Sequence, residues 1–157
     1  MNRIYKIQEK MLLKIAEFEN SEAVRDMSLN WERIHMISCA KIGQILALKR
    51  GADVELAAIA CSVHDFGRII TGKQKNHAEI CYEPLKVFLA ECGCFSAEEI
   101  EILARAGKKH SSKSEVGTPL EEIVKDADVL DCFQYGVPLE REEQKRRLEK
   151  IIIEIIG

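Results

Sequence analysis

The chain's only four histidines fall in one ordered series with acidic residues: His35, the doublet His64-Asp65, His77, His110 and finally Asp128. Imidazole nitrogen mixed with carboxylate oxygen suits a divalent transition metal, namely manganese, iron, cobalt, nickel or zinc, better than it suits calcium. Magnesium is compatible if the histidines bind loosely. Donors this far apart in sequence describe a site assembled from several elements, with one ion or two. Such a site supports hydrolysis, because a bound ion lowers the pKa of water and offsets charge building on a phosphoryl group under in-line attack. Singly, the residues mean little: a lone histidine on an apolar face is usually a hydrogen-bonded core residue. The ordered set carries the inference.

Helices must do the positioning. Ile4, Ile7, Met11, Leu12 and Ile15 recur at helical spacing over about Asn2 to Phe18. A second helix is expected after Ser28, through Trp31, His35, Cys39, Ile42 and Leu46 to a stop at Gly51, which puts His35 on a buried stripe. Asp53 caps a third, almost wholly apolar helix that delivers His64-Asp65 and ends at Gly67. Phe66 to Asn76 reads as a loop, with Asn76 capping a helix whose first turn holds His77 and whose interior Pro84 should kink or break. Ser96 and Glu99 form a capping box, and that helix brings His110 to its C-terminal end. Thr118, Pro119 and Glu121 open another, with Asp128 midway along it. After a turn at Gly136 and Pro138, Leu139 to Ile156 gives a last helix with Leu148, Ile151, Ile152, Ile155 and Ile156 as its buried stripe. No strand or internal repeat is evident. The expected architecture is all-α: a single helical bundle of six to seven helices over residues 1–157, with a site in its interior.

Composition narrows the partners. A chain of 157 residues can bury a core without disulfides or structural zinc. A formal charge of −3 leaves no electrostatic footprint for nucleic acid or a membrane surface, so a small soluble ligand is expected. The six cysteines show no CxxC spacing and read as reduced thiols. The first ten residues lack a signal-type apolar run, and Leu56 to Val63 is too short to span a bilayer; the expected location is the cytoplasm. Ile153 falls outside the last helix's stripe and offers a homodimer contact.

His35, the doublet within SVHDFG (62–67) and Asp128 within KDADVLD (125–131) resemble the HD-domain superfamily of metal-dependent phosphohydrolases, over roughly Trp31 to Asp131. The resemblance implies a helical bundle of the HD type in which His35, His64, Asp65 and Asp128 hold a divalent ion. The placing of His77 and His110 between doublet and final aspartate resembles the binuclear HD-GYP and HDIG branches. There, two more histidines hold a second ion and Asp65 would bridge the pair; the alternative for His77 and His110 is contact with a substrate phosphate. Members of the superfamily act on phosphate esters of nucleotides, so the implied substrate is a phosphomonoester or phosphodiester, with a nucleotide as its expected carrier. Phe66 stands where HDIG has isoleucine, and no GYP motif is present, which argues against the cyclic-dinucleotide branch. The competing reading is a binding or regulatory module that keeps the metal or nucleotide site without turnover, or a helical interaction protein.

The reaction needs few further groups. Asp65, as bridge or as neighbour of the water, is the expected orienter of the nucleophile, with His64 beside it. Arg68 follows the doublet closely enough to reach a phosphate, and Lys73, Lys75, Lys108 and Lys109 are weaker candidates. Asp126 and Asp131 near Asp128 read as a solvated face, with Asp126 as the competitor of Asp128 for the ligand position. Gly67 to Lys73 mimics part of a phosphate-binding loop, but Gln74 replaces the hydroxyl residue and a helix precedes it, so an NTPase is excluded.

Overall fold

Ser28, Asp53, Ser96 and Thr118 each turn a side-chain oxygen onto a backbone N–H three residues on, so four helices begin where their cap residues predict. The structure, a computed structural model, describes residues 2–157; Met1, the first residue of the expected span, lies outside them. Among the described residues there are eight helices and no strand: α1 (Arg3–Ala16), α2 (Leu29–Arg50), α3 (Val54–Val63), α4 (Phe66–Thr71), α5 (His77–Glu91), α6 (Ala97–Lys109), α7 (Pro119–Gln134) and α8 (Glu142–Ile156). The apolar α3 occupies the centre, buried at every position from Ala57 to Val63 and packed by α1, α2, α6 and α7. A single core cluster runs from Ile7 in α1 to Ile151 in α8. This scaffold holds the end of α3, where His64 and Asp65 lie, among four neighbouring helices, α2, α5, α6 and α7.

Several expectations are corrected. Phe66 to Asn76 is not all loop, because α4 occupies its first half. Its glycine and threonine are weak helix formers, but Phe66, Gly67, Arg68 and Ile69 are buried, and packing supplies what propensity lacks. Gly67 does not end α3 either. It lies inside α4, where an added Cβ would sit 2.0 Å from the His77 carbonyl oxygen, so the glycine lets α4 and α5 touch. Gly67→Ala is therefore expected to cost about 1–3 kcal/mol of stability and to displace His77. A urea unfolding midpoint unchanged from wild type would show that this contact is not tight.

Pro84 does not break α5, which runs through it. The carbonyl that loses its partner belongs to Ile80, on an exposed flank where water can serve, while Cys81, Leu85 and Leu89 bury the helix on either side. The stripe of α8 is narrower than expected: of its five residues only Ile151 is fully buried, and Ile156 is 82% exposed. Charges replace the missing apolar contact. Arg147 of α8 donates to Glu122 and Asp126 at 2.8 Å, and Arg50 of α2 pairs with Asp126 at 2.8 Å and with Glu154 at 2.7 Å. Asp126 is thus buried at the α2–α7–α8 junction and not on a solvated face. All six cysteines are free, with Cys39, Cys61 and Cys81 buried. No described helix is long and apolar enough to cross a membrane.

Candidate metal centre

The six anticipated donors come from five places in the fold and meet. His35 projects from α2. His64 and Asp65 form the corner between α3 and α4, where Asp65 takes φ −92° and ψ 15°, a sparsely populated backbone region common at functional sites. His77 opens α5, His110 closes α6, and Asp128 lies within α7. On one side, His35 Nε2 lies 3.2 Å from His64 Nε2, 3.2 Å from Asp65 Oδ2 and 3.3 Å from Asp128 Oδ1. On the other, Asp65 Oδ1 lies 3.0 Å from His77 Nε2 and 3.3 Å from His110 Nε2, which are 2.9 Å apart. Asp65 stands between the two groups with one oxygen turned to each.

Hydrogen bonds behind the rings fix what the rings present. His35 Nδ1 faces Asp131 Oδ2 at 2.6 Å, His64 Nδ1 the Cys61 carbonyl at 2.7 Å, His77 Nδ1 the Gln74 carbonyl at 2.6 Å, and His110 Nδ1 the Gly107 carbonyl at 2.6 Å. Each acceptor requires a proton on Nδ1, so all four rings turn Nε2 inward, as ligating histidines do. Inward Nε2 atoms at about 3 Å from one another require a proton or a cation between them. Asp65 Oδ1, wholly buried, has no aligned hydrogen-bond partner. The residues present therefore fit a divalent ion.

Charge points the same way. Four carboxylates, Glu32, Asp65, Asp128 and Asp131, are buried or nearly so around two cations, Arg68 and Lys113, which leaves two negative charges for protons on the histidines or an ion to neutralise. Burial opposes ionisation of Asp65 and Asp128. Arg68 with the histidines around Asp65, and Lys113 with His35 and His64 around Asp128, outweigh it and hold both carboxyls well below the usual range. Burial likewise works against charge on His64, but the Asp65 carboxylate pulls its pKa up to about 10. His110, where burial dominates, is pushed down to about 4 and stays neutral.

Four neighbours went unassigned in the sequence. Glu32 grips Arg68 through two hydrogen bonds, at 2.9 and 3.0 Å, and Arg68 in turn donates to Asp65. Asp131, expected on a solvated face, is fully buried; it accepts from His35, Ser38 and Gln134 and so orients the His35 ring. Lys113 donates to Asp128 Oδ2 at 2.5 Å and to the Lys125 carbonyl at 3.1 Å. Trp31, the only tryptophan, stacks on His35 with ring centroids 4.9 Å apart. Spacing offered a weak signal for two of them, since Trp31 precedes His35, and Asp131 follows Asp128, by about one helical turn. Glu32 and Lys113 had none.

The centre opens into a cleft of about 860 Å³ lined on its polar side by Asp65, Arg68, His77, His110, Lys113 and Asp128. Of the weaker phosphate candidates, Lys108 lies on this wall and is paired with Glu79 at 2.9 Å. Lys73 donates to the Val24 carbonyl, Lys109 pairs with Glu115, and Lys75 is exposed; none of these three lines the cleft.

The family model of the HD domain matches residues 33–132, a span that contains all six donors. The chain belongs to the HD domain family, within the superfamily of metal-dependent phosphohydrolases. No curated protein and no solved structure matches it.

Proposed function

We propose that this HD domain hydrolyses a phosphomonoester or phosphodiester, carried by a nucleotide, with one or two divalent transition-metal ions. The carrying observation is the double-faced Asp65: a buried carboxylate with a pair of inward imidazole nitrogens on each side, at the floor of an open cleft. His35, His64, Asp65 and Asp128 would hold one ion, and His77 and His110 with Asp65 the second. A bound ion supplies a lowered water pKa and neutralises phosphoryl charge. Two divalent ions against the site's two surplus negative charges would leave it positive, which suits a phosphate dianion.

The protein's own groups do the rest. Asp65 and His64 fix the reacting side of the cleft, and Asp65 orients the water. Arg68 holds Asp65 through one nitrogen, while its Nη1, bound to Gln74 at 3.0 Å beside the cleft, is the edge offered to a phosphoryl oxygen. Met27, Trp31, Val137 and Leu139 supply an apolar wall for the base of a nucleotide.

The test combines metal analysis of the purified protein with release of p-nitrophenol from monoester and diester substrates and a nucleotide panel. Metal retention without turnover of any of them would favour a binding module. Chelation is expected to be visible in stability as well. An ion at a thousand times its Kd adds about 4 kcal/mol to folding, so its removal should lower the Tm by roughly 10 °C. Trp31 gives an independent readout, because cobalt or nickel held by His35 should quench its fluorescence; a signal indifferent to either ion would count against His35 as a ligand.

A further inference from the structure

We propose that the thiol of Cys132 is an additional donor to the ion held by His35 and Asp128, so that this half of the centre is a mixed nitrogen, oxygen and sulfur site. The inference rests on the metal-centre reading above and adds a ligand that the ordered histidines and aspartates do not contain. Cys132 lies four residues after Asp128, hence one turn along the same face of α7. Its Sγ is 3.5 Å from Asp128 Oδ1, the oxygen turned toward His35 and His64. The other oxygen of Asp128 is taken by Lys113, which leaves Oδ1 as the one that faces an ion.

The distances are those of a shared cation. Donor atoms of His35, Asp128 and Cys132 all lie within 4.8 Å of one another. Two donors about 2.0–2.3 Å from one ion can be at most about 4.6 Å apart, so the group spans about the width of a single coordination sphere. The thiol is not committed elsewhere: no disulfide ties it, and it lies on the cleft wall. A second observation points to a cation in this half: His35 Nε2 and His64 Nε2, both buried, face each other at 3.2 Å, with Asp65 Oδ2 3.2 Å and Asp128 Oδ1 3.3 Å from His35 Nε2. Coordination exchanges the S–H bond for a metal–sulfur bond and passes the proton to buffer. A soft sulfur donor shifts preference toward zinc, cobalt and iron and away from magnesium and manganese.

Cobalt(II) loading of the full chain tests this by absorption spectroscopy. The wild type should show an intense near-ultraviolet sulfur-to-cobalt charge-transfer band together with weaker visible bands from the histidine and carboxylate ligands. Cys132→Ser and Cys132→Ala should lose the first and keep the second, while Cys94→Ser, outside the cleft, should keep both. A wild-type spectrum with visible bands but no sulfur band overturns the thiol proposal and leaves the metal centre standing, as does a sulfur band that survives in both Cys132 variants. Failure to take up cobalt at all overturns both.

Discussion

Asp65→Ala is expected to empty both halves of the centre of metal and to lower kcat/KM for phosphoester hydrolysis by more than about a hundredfold. Loss even of an outer partner of a metal ligand costs 10–100-fold, and Asp65 is the one carboxylate in contact with all four imidazoles. His77→Ala gives the contrast, because it touches only one group and should release one ion while the other stays. Metal content per chain and steady-state kinetics check both variants. The bridging role is untenable if Asp65→Ala keeps two ions.

Glu32→Ala should be the most damaging single change to the fold near the site, at about 3 kcal/mol or roughly 10 °C in Tm. Glu32 is 1% exposed and carries no expected role in the chemistry, yet it supplies both oxygens that pair the buried Arg68. Without it the guanidinium keeps only Asp65 and Gln74. Removing one member of a buried ion pair strands the other in a medium that solvates it poorly. The double variant Glu32→Met with Arg68→Met removes both charges and should recover much of the stability but not the activity, since Asp65 then loses its buttress. Thermal melts of the single and double variants decide the matter. A double variant no more stable than Glu32→Ala would mean that packing, and not stranded charge, is the cause.

What could be read from the chain was whatever depends on near neighbours in sequence. Caps at Ser28, Asp53, Ser96 and Thr118 are local hydrogen bonds, and the apolar spacing of α1, α3 and α6 is a property of one helix at a time. The six donors were legible as a set because their residue types are scarce and their order resembles a known pattern. Segment 66–76 was misread because the glycine and threonine of FGRIIT are weak helix formers, and its burial against neighbouring helices, among them α5, is not written in its own residues. Asp126 and Asp131 were misread for a related reason. A helical period says which residues share a face, but not that an arginine from α8 or a histidine from α2 will cover it.

The sequence by itself determined an all-helical chain, its HD family and the histidines and aspartates proposed to hold a cation, because residue type, capping and periodicity are written locally. The tertiary structure decided how those residues are used: that Asp65 faces two ways, that Lys113 occupies one oxygen of Asp128, that Glu32 restrains Arg68, and that Cys132 reaches the same pocket. Partners separated by many residues are chosen by how helices pack, and burial then makes every unpaired charge costly enough to require one.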